Sequence, residues 1–153
     1  MRQRSQGRTP VCIAAVLGVA ATMISTRADS RPPPPPPDPT IEVSMVRQDK
    51  SDCTNANVNT SNPSLVGGTA WVVRLPNGTT SVKVGITAQP NTKYQFFLKC
   101  VKSLGIITTA DEGEGEATFD FPTNSVGSVY GFDMYPDGAP PGNVYQSVQV
   151  KFQ

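Results

Sequence analysis

Apolar and polar residues alternate with a period of two along most of the chain from residue 41 onward. This period is typical of β-strands, turn-forming residues interrupt it at regular intervals, and no segment has the period of an amphipathic helix. The pattern predicts strands at residues 41–47, 69–75, 80–88, 93–101, 104–109, 117–121, 128–135 and 143–152. Eight strands in about 110 residues are too many for one open sheet with a buried face, so we predict an all-β domain: a two-sheet antiparallel β-sandwich of about 7 to 9 strands.

The strongest turn signal joins the second and third of these strands. Asn77-Gly78 lies between two alternating segments and favours a tight hairpin of type I′, in which both central residues have positive φ. Before the turn, Trp71 alternates in register with Val73 and Leu75. We therefore expect the tryptophan in the core, and a role as a carbohydrate-stacking platform is the alternative.

The alternation also assigns faces to the other strands. The residues expected to point inward are Val82, Val84, Ile86 and Ala88, then Tyr94, Phe96, Leu98 and Cys100, and finally Val144, Val148, Val150 and Phe152. Tyr130 shares a face with Phe132 and Met134 and is also expected inside. Tyr145 alternates outward with Ser147, so it is the tyrosine expected to be exposed.

The N-terminal 28 residues differ from the rest in composition. A basic start precedes an uncharged, small and apolar segment at residues 11–24, and Thr26-Arg27-Ala28 resembles a cleavage site. This order predicts a signal peptide at residues 1–28, or a short membrane anchor if the segment is not cleaved. The apolar segment would form a helix of roughly 21 Å against a hydrocarbon core of about 30 Å, which favours cleavage.

A proline-rich arm at residues 29–39 follows, ahead of a folded domain at residues 40–153. Consecutive prolines favour an extended polyproline II conformation. If the leader is cleaved, the arm is a free tail on a secreted domain. If it is not, the arm holds the domain away from a membrane, and only then is a membrane an expected partner. Both cases place the domain outside the cell, secreted or at the cell surface.

Cleavage changes the charge of the protein. The full chain has 13 basic and 12 acidic residues, a net charge of +1. Four arginines lie in the leader, so nine basic residues remain against 12 acidic ones and the mature net charge is −3. Because no basic cluster remains, nucleic acid is not an expected partner.

Cleavage also removes Cys12 and leaves Cys53 and Cys100 in a chain bound for an oxidising compartment. We expect these two to form a disulfide, since a redox-active pair more often has Cys-x-x-Cys spacing. If the strand at residues 93–101 is straight, Cys100 lies at its far end. The bridge then requires residues 54–59 to run back along the domain as a short edge strand or an extended crossing.

The chain contains no histidine. This removes the usual general base of serine and cysteine nucleophile systems and the commonest metal ligand, so we predict a protein that is not an enzyme and has no cofactor. The alternative cofactor is calcium, in the glycine-spaced acidic segment at residues 111–116, with Asp111, Glu114 and Glu116 as ligands. An ordinary solvated turn is the expected structure there, because the segment lacks the spacing of a helix-loop-helix calcium site.

Strand connectivity predicts a binding surface. When consecutive strands reverse direction, alternate connections lie at the same end of the domain, so the connections before residue 69 and at 89–92, 110–116 and 136–142 should cluster. This holds only if the chain reverses near Lys102-Ser103. We name this end the long-loop rim, and its candidate binding residues are Asn91, Asp111, Glu112, Glu114, Glu116, Asp137 and Asn143.

Nine residues resemble a known family. The segment from Ile86 to Tyr94, with Pro90 and Thr92 between them, resembles the tyrosine corner of fibronectin type III and related immunoglobulin-like domains. The resemblance implies an immunoglobulin-like β-sandwich in which the Tyr94 hydroxyl bonds to backbone upstream. Such domains are mostly adhesion, spacer and binding modules.

Together these features predict an exported, non-enzymatic binding or adhesive module at the cell exterior, whose partner is a protein or a glycan. The alternative is a secreted enzyme or enzyme inhibitor that acts through the long-loop rim.

Overall fold

The computed structural model describes residues 39–138 and 144–153. The strands are β1 Ile41–Arg47, β2 Val66–Arg74, β3 Thr79–Thr87, β4 Lys93–Leu98, β5 Lys102–Thr108, β6 Glu114–Pro122, β7 Val129–Tyr130, β8 Phe132–Pro136, β9 Tyr145–Ser147 and β10 Val150–Lys151. Within these residues the only helices are single 3-10 turns at Pro63–Leu65 and Thr123–Ser125, so the all-β prediction is confirmed. The leader, nearly all of the arm and Asn143 lie outside the described residues.

Eight strands form one antiparallel sheet in the order β5-β4-β8-β9-β1-β2-β3-β6, and β7 pairs with β10. Strand β1 pairs with both β2 and β9, so it joins two four-stranded halves into a continuous sheet. The two ends of the sheet, β5 and β6, are consecutive in the chain, and at their turn the N–H of Ala110 donates to the carbonyl of Glu114 at 2.8 Å. The sheet therefore curls nearly into a barrel.

The inner face of this sheet holds the core. Val82, Val84 and Ile86 of β3 are buried as the alternation predicts, because each lies on the concave side of the sheet. Aromatic rings fill the centre: Phe96 stacks on Phe132 with ring centroids 5.2 Å apart. Burying a side chain of this size stabilises the fold by roughly 1.5–3 kcal/mol.

The β2-β3 hairpin forms where the sequence predicts it, but the prediction of a type I′ turn is wrong. Only Gly78 has positive φ, at 81°, and its N–H donates to the carbonyl of Leu75. The turn thus spans Leu75 to Gly78, with Pro76 as its second residue. The proline ring fixes a negative φ, which excludes the type I′ geometry and leaves Gly78 as the residue that restores strand pairing.

The face predicted for strand β2 is also wrong. Ala70 and Val72 are fully buried, whereas Trp71 and Val73 are half-buried on the outer face. Both faces of this segment are apolar, so the period of two defines the faces without selecting which one is inward. The inner side of a strongly curved sheet is narrow and already filled by phenylalanines, and it takes the smaller pair of side chains.

The two C-terminal segments predicted as single strands are each broken. Gly131 separates β7 from β8, and residues 148–149 separate β9 from β10. As a result Ser147, which was expected outside, is buried, and its hydroxyl accepts a hydrogen bond from the N–H of Phe132 at 2.9 Å. The neighbouring Gln146 is buried as well, whereas Val148 is only partly buried.

The disulfide between Cys53 and Cys100 is confirmed, with Cα atoms 5.5 Å apart. Strand β4 ends at Leu98, so Cys100 lies in the following turn, exposed and with a φ of 60°, rather than on the inward face. The predicted strand or crossing after Cys53 is wrong, because that segment forms two consecutive turns. No strand is needed to reach the disulfide partner, because the chain reverses within residues 99–101 and this reversal brings Cys100 close to the turns at Cys53.

Candidate functional site

A shallow groove crosses the outer face of β2, β3 and β6. Its volume is about 550 Å³, and we call it the Trp71 groove. The side chains and glycine that define it are Thr69, Trp71, Gly85, Thr87, Glu114 and Glu116.

The strand register explains why a groove forms here. Thr69 of β2 pairs with Gly85 of β3, which pairs with Glu116 of β6, so these three residues form one row across the sheet. Gly85 has no side chain, and a Cβ built there would lie 3.5 Å from Cζ3 of Trp71. The indole therefore lies against the surface of β3 over Gly85, and the missing side chain leaves the space beside the ring open.

The groove has an acidic border. Glu114 and Glu116 are exposed and follow one another on the same face of β6. Glu116 forms an ion pair with Lys83, with 2.9 Å between Nζ and Oε1. On the other side Glu42 of β1 pairs with Trp71 in the register and is exposed. Three carboxylates against one ammonium give this face a negative potential.

Two of the predicted rim connections meet. The N–H of Asn91 donates to the carbonyl of Ala110 at 3.1 Å, and the N–H of Ala88 donates to that of Gly113 at 2.9 Å. Asp111 and Glu112 lie exposed in the β5-β6 turn beside them.

Asp137 lies at the same end of the sheet. It follows β8, and its N–H donates to the carbonyl of Lys93, the residue next to the 89–92 connection, at 3.0 Å. Glu114 and Glu116 belong to strand β6 rather than to a loop, so they border the Trp71 groove. The chain does reverse between β4 and β5, at residues 99–101 instead of at Lys102-Ser103.

Within residues 39–138 and 144–153, no group of three or more His, Cys, Asp or Glu side chains is placed so that it could hold a metal ion. The candidate calcium ligands Asp111, Glu114 and Glu116 lie in the β5-β6 turn and in strand β6. Strand β6 begins at Glu114, and the pleat of a strand separates neighbouring carboxylates instead of wrapping them around an ion. Glu116 is paired with Lys83.

A second polar cluster lies at the other half of the sheet, where the two turns at residues 52–58, which we call the disulfide loop, pack against it. The Lys99 ammonium donates to Oδ1 of Asn55 at 2.7 Å, and the Asn55 amide donates to the carbonyls of Phe132 and Ser147, both at 2.9 Å. Burial raises the pKa of nearby Asp133 to about 6, although Lys99 lowers it. Asn55 and Lys99 make these hydrogen bonds within the protein. We therefore interpret the cluster as one that holds the disulfide loop in place, and not as a binding site.

The tyrosines have structural positions. The hydroxyl of Tyr94 accepts a hydrogen bond at 3.1 Å from the N–H of Gln89, which lies upstream in the chain. Tyr145, expected to be an exposed contact, is half-buried with its ring edge-on to Tyr94 at 6.2 Å. Its ring also covers Gly67, where a side chain would collide with it.

Comparison with models of protein families and with curated proteins finds no match to this chain. None of the described residues forms a helix that is long and apolar enough to cross a membrane.

Proposed function

We propose that this chain is an exported, non-enzymatic binding module of the cell exterior, and that the Trp71 groove is its contact surface. The observation that carries the proposal is the outward position of Trp71 over Gly85. A large aromatic side chain on the solvent side of a sheet, beside an open groove with polar borders, is typical of a binding site.

Binding fits this site better than catalysis. The groove offers two carboxylates from one strand, and one of them is already paired with Lys83. The whole chain has no histidine to act as a general base. An aromatic surface with hydroxyl and carboxylate neighbours can hold a ligand without activating it.

Export is supported by two features, the leader sequence and the disulfide. The sequence of residues 1–28 has the order of a signal peptide, the chain carries a disulfide, and disulfides persist in oxidising compartments. On this proposal the proline-rich arm at residues 29–39 is a tail or spacer ahead of the binding domain.

We also propose that the finer architecture is an immunoglobulin-like sandwich whose layers are joined at one side. The halves β6-β3-β2-β1 and β5-β4-β8-β9 correspond to the two layers, with the pairing of β1 and β9 as the junction. The Tyr94 hydroxyl bond supports this description.

Co-sedimentation with the cell-envelope fraction of the source organism tests the function. We expect the purified full-length protein to sediment with that fraction, and Trp71→Ala to reduce the bound protein at least about tenfold. The matched control is Gly127→Val, because a Cβ at exposed Gly127 meets no atom within 4 Å and the residue lies outside the groove. Equal binding by wild type and Trp71→Ala, or turnover of envelope material, would contradict the proposal.

A further inference from the structure

We infer that the ligand of the Trp71 groove is a neutral hexopyranose chain, an inference that rests on the function proposed above. Three properties of the groove favour this ligand: its aromatic surface, its polar borders and its charge.

The aromatic surface suits a sugar ring. The indole of Trp71 is half-buried, with its benzo edge over Gly85, so part of the ring remains open to solvent. The face of an aromatic ring carries partial negative charge, and the axial C–H groups of a hexopyranose form an apolar patch with partial positive charge. Stacking of the two removes apolar area from water on both sides.

The borders of the groove suit the hydroxyls of the same sugar. Thr69 and Thr87 offer hydroxyl groups, which both donate and accept, and Glu114 offers carboxylate oxygens, which accept. The row from Thr69 through Gly85 to Glu116 crosses two strand spacings, about 10 Å. This length suits a disaccharide unit of a longer chain, and the open shape lets the chain continue beyond it.

The charge selects against anionic ligands. Glu42, Glu114 and Glu116 outnumber Lys83 on this face, so a uronic acid or sulfated glycan would meet a net repulsion. A neutral chain avoids this repulsion and still satisfies the carboxylates through its hydroxyls.

The surface is a poor match for an apolar protein segment. Of the two large apolar residues that line the groove, Ile86 is buried in the core, so Trp71 supplies most of the apolar surface, and the floor beside it is glycine. The exposed large apolar residues of the described chain, Val66, Val101, Ile106 and Val129, do not line it. Protein interfaces generally need several buried anchors over a larger area.

Affinity electrophoresis tests the inference. The full-length protein is run through gels that contain a mixed-linkage β-glucan, amylose, soluble chitin or, as the anionic comparison, polygalacturonate. We expect retardation by at least one neutral polymer and none by polygalacturonate. Trp71→Ala should weaken that binding at least tenfold, which corresponds to about 1.4 kcal/mol.

Two further variants act without removing the tryptophan. Gly85→Ala and Gly85→Val fill the floor of the groove to different extents, and a Cβ at this position lies at ordinary contact distance from the indole. Their binding should fall in parallel with that of Trp71→Ala, while Gly127→Val retains the wild-type affinity. Urea midpoints of all variants establish that each is folded.

Three outcomes would overturn the inference. They are stronger retardation by polygalacturonate than by the neutral polymers, retention of neutral polymers that the groove variants leave unchanged, and no retention by any polymer. In the last case, envelope binding that still depends on Trp71 would leave the proposed function standing and assign the groove to another ligand.

Discussion

Asn55 holds the disulfide loop against the sheet, and replacing it with alanine should destabilise the protein severely. The residue is fully buried, and its side chain makes three hydrogen bonds. Two go from its amide to backbone carbonyls of β8 and β9, and the third is accepted from the ammonium of Lys99. Asn55 also has a φ of 54°, in the left-handed region that asparagine tolerates better than alanine.

The cost follows from these contacts. Each of the two neutral hydrogen bonds contributes about 1 kcal/mol, and the bond from the charged Lys99 contributes about 2 kcal/mol. Alanine in the left-handed region adds roughly 1 kcal/mol. We therefore expect Asn55→Ala to lower the free energy of unfolding by about 4–5 kcal/mol. Asn55→Gly, which removes the side chain without the backbone strain, should cost about 1 kcal/mol less.

Urea denaturation with the disulfide intact measures this difference. The matched control is Asn57→Ala, in the same pair of turns, since Asn57 is exposed and the structure gives its side-chain atoms no hydrogen bond among the described residues. The control should change the free energy of unfolding by less than about 0.5 kcal/mol. A loss below about 1 kcal/mol for Asn55→Ala would refute the role given to this network.

Four further variants test other parts of the fold. The raised pKa of Asp133, about 6, means that its ionisation costs the folded state free energy as pH rises from about 4 through 6. Asp133→Asn should therefore stabilise the protein at pH 7.5 by about 1–2 kcal/mol, an amount that already allows for partial solvent screening. At pH 4 it should have little effect. Equal urea midpoints of the wild type and the variant at pH 7.5 would contradict this. The buried hydroxyl of Tyr130 has no hydrogen-bond partner among residues 39–138 and 144–153, so Tyr130→Phe should be neutral or stabilising in thermal unfolding, whereas Tyr94→Phe loses a bond and should cost about 1 kcal/mol. Replacing Cys53 and Cys100 together by alanine opens a loop of sequence separation 47 and should cost about 4 kcal/mol, and an unchanged melting temperature would contradict it.

The sequence predicts strands well where one face is clearly more apolar than the other. In β3 every second residue from Val82 to Ile86 is valine or isoleucine and the residues between them are polar or glycine. Its buried face agrees with the prediction, and each of its bounds differs from the predicted one by one residue. In β2 both faces are apolar, and the choice depends on which side of the curved sheet has room for an indole. That depends on residues far away in the sequence.

The continuous eight-stranded sheet also depends on contacts between residues that are far apart in the sequence. It results from the pairing of β1 with β9, whose residues are about 100 positions apart in the chain. The alternation of apolar and polar residues does not predict the buried polar cluster either. Ser147 and Gln146 are polar and are buried because they find hydrogen-bond partners in other parts of the chain. The disulfide, by contrast, is predicted from the cysteine count and the expected export of the chain, without any geometry.

The Trp71 groove depends both on local sequence and on long-range strand pairing. Its residues are visible in the sequence, but the register that aligns Thr69, Gly85 and Glu116 in one row comes only with the folded sheet. A glycine in the middle of a strand, on the face that carries a neighbouring tryptophan, is the one local signal that could have indicated the groove.

Fluorescence of Trp71 tests the central claim most directly, because it is the only tryptophan in the protein and its emission therefore reports on the groove alone. The protein is titrated with cellohexaose, maltohexaose and chitohexaose, and quenching by acrylamide is measured at each concentration. We predict a saturable blue shift and reduced quenching with at least one of these oligosaccharides, as a sugar ring covers the indole. Emission and quenching that stay unchanged with all three, at concentrations that saturate binding to the matching polymer, would contradict the account.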